Sequence, residues 1–199
     1  MSDPTRREAI GALAALALVA PLACTPEEAS NARAALRQNR STGQPYQPRF
    51  FTAEEWERVR VLVDMILPAD ERSGSATDAE VPEFIDFVLT EGNDDSARTQ
   101  VRGGLTWLDR ECRERFNAGF LEATAEQRGQ VLDDIAWPAR APAELSHGVR
   151  FFNRMRDLTA SGFWSSQMGV EDLQYMGNVM NPGWAGCPPE QLEKLGLNS

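Results

Sequence analysis

From Thr52 onward the chain repeats apolar residues three and four positions apart, in successive blocks separated by Gly, Pro and Ser. The first block holds Trp56, Val59, Leu62, Val63, Ile66 and Leu67; it opens on Thr52 with Glu55 three residues on, and stops at Pro68. That pattern predicts a helix over Ala53–Leu67 entered through a capping box. A shorter helix follows behind Pro82, with Phe84, Ile85, Val88 and Leu89 on one face and Gly92 as its stop. After the turn residues "NDDS" a long stripe runs through Val101, Leu105, Leu108, Cys112 and Phe116. Gly103 and Gly104 interrupt this helix at a cost of about 1 kcal/mol each, which predicts either a close helix crossing or a local break. Thr124 and Gln127 make another capping box ahead of Val131, Leu132 and Ile135. A last block places Leu145, Val149, Phe152, Met155 and Leu158 on one side and ends at Gly162. No segment alternates with period two. The fold class is therefore all-α, a bundle of about five main helices.

The two ends break this rhythm. Residues 24–49 are polar, with Asn, Gln, Ser and Gly, and read as a tether or as an arm lying on something else. The C-terminal stretch from Phe163 is rich in Gly and Pro and carries Phe163, Trp164, Tyr175 and Trp184. Such a tail has two readings: aromatic surface folded over its own domain, or aromatic surface docked on a partner.

Residues 1–23 look like a processed address. Arg6 and Arg7 precede an uncharged run from Ala9 to Ala23, shorter than the roughly 20 residues a membrane-spanning helix needs. Positive start, apolar middle and small residues before a cut define a signal peptide, and "TRREAI" resembles a twin-arginine export signal. Cys24 follows Ala23, as in a lipoprotein signal, although Pro21 stands where that motif prefers Leu. Lipidation at Cys24 and ordinary cleavage are both open. The expected organisation is a signal peptide over 1–23, a polar arm over 24–49 and a helical domain over 50–199. The expected destination is the periplasm, with a membrane anchor if Cys24 is lipidated.

Composition narrows the chemistry. Twenty basic against thirty acidic residues leave a net charge of −10, which argues against nucleic acid as a partner. There is no C-x-x-C-H for haem and no G-x-G-x-x-G after a strand. The single histidine, His147, has no second ligand at helical spacing and reads as a surface or boundary residue. Acidic pairs such as those in "LDDIA" read as solvated surface. The residues thus give no reason to place catalytic, cofactor or metal ligands in this chain.

The stretches "VRVLVDMILPADERSGSATDAEVPEFIDFVL" (59–89), "FFNRMRDLTASGFWSSQMG" (151–169) and "LQYMGN" (173–178) together resemble the gluconate 2-dehydrogenase subunit 3 family. These are small subunits of bacterial membrane-associated flavoprotein dehydrogenases. The resemblance implies a noncatalytic role. The chain would bind, stabilise and help export a large subunit of the glucose-methanol-choline type, which holds FAD and oxidises an alcohol or sugar. A multihaem cytochrome c subunit often takes the electrons onward. During export the twin-arginine translocase would be a further partner. An independent exported lipoprotein with a scaffold role is the alternative, and a small oxidoreductase using His147 a more distant one. Cys112 and Cys187 have three readings in such a compartment. One is an intrachain bridge closing a loop of about 75 residues, worth roughly 4 kcal/mol; the others are a bridge to the large subunit and two free thiols.

Overall fold

A computed structural model of the chain describes residues 25–175, 186–194 and 196. Arg6, Arg7, Cys24 and Trp184 lie outside the described residues. Among the described residues every regular element is helical: α1 (Pro26–Ser41), α2 (Ala53–Ile66), α3 (Val81–Glu91), α4 (Asp95–Phe116), α5 (Ala125–Ala136), a 3₁₀ turn (Ala143–Leu145), α6 (Ser146–Trp164), α7 (Gln167–Asp172) and α8 (Pro189–Lys194). Five of the six longer helices follow the apolar blocks read from the sequence. Both capping boxes form as expected, with the Thr52 hydroxyl accepting from Glu55 N–H and Thr124 from Gln127 N–H.

The sixth, α1, corrects the expectation of a tether. Its entry is a third capping box, in which Thr25 accepts from Glu28 N–H while the Glu28 carboxylate accepts from Thr25 N–H at 2.8 Å. Pro26 sits in the first turn, where its missing N–H costs nothing. The helix buries Ala32, Arg33 and Leu36 against the rest of the domain. The segment is an arm laid on its own bundle.

Helix α6 is the axis of the molecule and packs on α2, α3, α4, α5 and α7. Phe151, Met155, Leu158 and Phe163 are its buried contributions. Its closest crossing is with α4. A Cβ on Gly104 would collide with the Phe151 ring, so this glycine lets the two helices approach. The neighbouring Gly103 has no such reason: a Cβ there would meet no atom within 4 Å. Of the two outcomes the glycines allowed, the close crossing is the one realised, and α4 runs unbroken through both.

Helix α3 is apolar on almost every side, burying Val81, Pro82, Phe84, Ile85 and Leu89, and one carboxylate, Asp86, is buried with them at 0% exposure. It is entered through Glu80 in the left-handed region, at φ 56°. The connection from α2 into α3 is built by carboxylates. Asp64 accepts from Thr77 N–H (2.8 Å) and Thr77 hydroxyl (2.6 Å), and Asp70 accepts from Arg72 and Ser73 N–H at 2.8 and 2.9 Å. The "LPADERSGSATDAE" stretch is thus an ordered corner.

The two glycines of α4 make a paired test. Gly104→Ala should destabilise the chain by about 2 kcal/mol, the usual range for overpacking a tight contact. Gly103→Ala should stabilise it by up to about 1 kcal/mol from helix propensity alone. Urea unfolding of both variants checks the signs; equal effects would contradict the crossing.

Candidate functional site: an apolar patch at the end of helix α6

Near the C-terminal end of α6 the described chain exposes four large hydrophobic residues, Trp164, Val170, Leu173 and Tyr175, while Leu121 and Trp137 are exposed elsewhere. Phe163 and Trp164 are adjacent and their rings meet edge to face, 5.7 Å apart at 83°. Phe163 turns inward and is 1% exposed, whereas Trp164 turns outward and is 41% exposed. Both belong to the helix, which runs two residues past the stop expected at Gly162. Phe163 is therefore corrected from tail to core, and Trp164 remains an interface candidate.

Local hydrogen bonds fix this outward turn. Ser166 caps α7, its hydroxyl donating to the Phe163 carbonyl (2.6 Å) and accepting from Gly169 N–H (3.0 Å). A Cβ on Gly169 would run into the Phe163 carbonyl, so glycine permits α7 to fold back directly on the end of α6. Arg72, from the ordered corner after α2, pairs with the Asp172 carboxylate at 3.4 Å and donates to its carbonyl. Val170, Leu173 and Tyr175 follow Trp164 in the chain and are exposed as well; Leu173 and Tyr175 are 57% and 58% exposed. Clustered exposed aromatic and aliphatic groups on a rigid base are the composition of a protein-binding hot spot.

Beside the patch lies a cleft of about 360 Å³ between α1 and α7, walled by Arg33, Arg37 and Arg40 on one side and Ser165 to Met168 on the other. Arg33 is its floor, 8% exposed. The guanidinium donates to the carbonyls of Ala79 (3.1 Å) and Gly162 and to the Ser165 hydroxyl (3.3 Å), and lies 5.0 Å from the Phe84 ring centre. Burial lowers its pKa to about 10. Arg33 thereby ties the arm helix to the entry of α3 and the exit of α6, the same region that carries the patch.

The second tie is Asp86. Its carboxylate accepts from the Tyr46 hydroxyl (2.8 Å) and from the N–H groups of Arg49 (2.9 Å), Phe50 (2.9 Å) and Phe51 (3.1 Å). Burial, then the charge and hydrogen bond of Asp86, push the Tyr46 phenol far above its usual range. Neither Arg33 nor Asp86 emerged as a functional position from the sequence. The available signals were the T-x-x-E box at Thr25 and a lone carboxylate inside "VPEFIDFVL".

Cys112 and Cys187 are separate in the structure. Cys112 is a buried free thiol on α4 and Cys187 an exposed free thiol, so the intrachain bridge does not form in the structure. Burial, and then the Asp109 charge, push the Cys112 thiol up. His147 is exposed on the first turn of α6, where its Nδ1 lies 2.7 Å from an Arg150 Nη2. Among the described residues no group of three or more His, Cys, Asp and Glu could hold a metal ion, and no helix is long and apolar enough to cross a membrane.

The family model described as "Gluconate 2-dehydrogenase subunit 3" matches residues 53–183. The chain belongs to that family. The match opens on the first residue of α2 and takes in the helical bundle and the patch, while α1 and the segment bound by Asp86 lie before it. No curated protein and no solved structure matches the chain.

Alkylation of the native chain, followed by mass spectrometry, should label Cys187 rapidly and Cys112 only after denaturation. Resistance of both to alkylation until a reductant is added would mean that they are bridged.

Proposed function

We propose that this chain is the small, noncatalytic subunit of a FAD-dependent alcohol or sugar dehydrogenase of the glucose-methanol-choline type, which it binds, stabilises and escorts to the periplasm by the twin-arginine route. Family membership supports the setting, a dehydrogenase complex. The observation that carries the binding role is the exposure of Trp164, Val170 and Leu173 on a backbone that is itself tightly hydrogen-bonded. Stable protein partners bury such anchors, and truncating one typically costs 2 kcal/mol or more of binding. The flavin belongs, on this reading, to the large subunit, with haem c in a further subunit.

The export role rests on Arg6 and Arg7 and the short apolar run that follows them. A chain with a twin-arginine signal that binds a folded flavoprotein would carry it across the inner membrane as one particle. Lipidation of Cys24 would hold the particle at the membrane; α1 starts at Pro26, two residues further on, so the anchor would sit close against the folded bundle.

Replacing Trp164 and Leu173 together by Ser removes two exposed anchors and no core residue. The variant should keep its helical circular dichroism and unfolding midpoint while its affinity for the large subunit falls at least thirty-fold, a conservative reading of about 2 kcal/mol for a central anchor. Unchanged affinity with an intact fold would remove this patch as the interface.

A further inference from the structure

The arm before α2 is built differently from the bundle it lies on. Helix α1 buries two apolar side chains, Ala32 and Leu36, and one arginine, Arg33. Helix α6, by contrast, buries Phe151, Met155, Leu158 and Phe163. Clefts open along both flanks of α1. One of about 360 Å³ separates Arg37 and Arg40 from the start of α7, and one of about 490 Å³ separates Leu36 and Asn39 from Tyr46 and Phe87. A third, of about 330 Å³, lies between Glu28 and Asn31 on α1 and Val88 and Glu91 on α3. A helix with little buried apolar area and open space on both sides belongs to the low-stability end of its own molecule.

What holds α1 down is polar, and water can replace it. Arg33 donates to the carbonyls of Ala79 and Gly162 and to the Ser165 hydroxyl. Arg40 adds a pair with Glu80 at 3.4 Å, its side chain 63% exposed. When the helix lifts, these groups exchange protein partners for water, so their net hold is a fraction of their gross strength. Burial already disfavours the charged Arg33 guanidinium, whose pKa falls to about 10. Release therefore returns solvation that the closed state withholds.

The chain changes character sharply after α1. Residues 41–45 are all exposed, and Gly43 has φ 68°, a region that glycine enters without strain. Residues 46–51 are instead pinned by Asp86, through the Tyr46 hydroxyl and the N–H groups of Arg49, Phe50 and Phe51. A weakly seated helix, an exposed link and a pinned segment, in that order, make a hinge with one fixed side. The family match begins at Ala53, so helix and hinge both lie outside the matched bundle.

We propose that α1 is a strap: it swings off the bundle about residues 42–45 and closes again, while Asp86 keeps residues 46–51 in place. The closed strap seats Arg33 on the Ala79 and Gly162 carbonyls and beside the Phe84 ring; the open strap uncovers that seat. Opening also changes reach. A released α1 frays, because isolated helices of this length are marginal in water. The 16-residue helix spans about 24 Å, whereas residues 25–45 drawn out span about 70 Å. The strap thereby sets how far the bundle can stand from the residues that precede it. That consequence rests on the reading of the chain as an exported, anchored subunit; the opening itself does not.

Hydrogen exchange of the full chain, read by mass spectrometry of its peptides, tests the strap. Amides of residues 29–41 should exchange as one block, at least a hundred-fold faster than those of α6 yet more slowly than an unstructured peptide. Arg33→Met removes the donors at similar side-chain length. It should speed this block at least ten-fold further and leave α2 to α6 and residues 46–51 unchanged. Arm amides as protected as those of α6 would overturn the proposal, because no separate open state would exist. Exchange at the rate of an unstructured peptide would overturn it equally, because no closed state would exist. Acceleration of residues 46–51, or of every helix, by Arg33→Met would place the opening elsewhere and also contradict it. None of these results depends on a dehydrogenase subunit copurifying, so failure here is distinct from failure of the functional reading.

Discussion

The structure depends on one buried carboxylate. Asp86 sits at 0% exposure in the most apolar helix of the bundle and accepts four hydrogen bonds from the segment 46–51. Removing a charge from water costs several kcal/mol, and only a full set of donors offsets it. Each such bond to a charged group contributes about 1.5–3 kcal/mol, so the four together can hold an otherwise irregular stretch of backbone in one geometry. That stretch leads directly into the Thr52 cap of α2 and is joined to the end of α1 through residues 42–45. One side chain therefore sets where the arm ends, where α2 begins, and how both lie on α3.

Arg33 completes the arrangement from the other side. It donates to carbonyls at the start of α3 and the end of α6, so the arm helix seats correctly only when those two helices already hold their native positions. The arm is thus a late addition in packing terms: a mostly polar helix with three buried residues, held by a few specific polar contacts where hydrophobic area is small. The family match begins after it. The matched residues take in the bundle from α2 onward and the patch.

How much of this was legible in the sequence follows from which signal each element uses. The helices built on apolar periodicity, α2 to α6, could be read because burying a stripe is what stabilises them, and Val59, Leu62 and Val63 or Leu105, Leu108 and Cys112 state that stripe openly. Helix α1 was missed because its stability comes from Arg33 and a capping box, and a buried arginine reads as a surface residue until its carbonyl partners are known. Phe163 and Trp164 show a different limit: adjacent aromatics in one helix must point apart, but which of them faces the core depends on the crossing with α3, where a Cβ on Gly162 would lie 3.0 Å from Phe84. The glycine pair in α4 was legible as an anomaly, and only the position of Phe151 distinguishes the one that packs from the one that does not.

The central claim is that this chain holds a flavoprotein. The most direct measurement is purification of the chain, tagged at Ser199, from the periplasmic and membrane fractions of its native host, with an absorption spectrum and mass spectrometry of the product. The account predicts a flavin spectrum and a near-stoichiometric large dehydrogenase subunit. A colourless chain recovered alone from both fractions would contradict it.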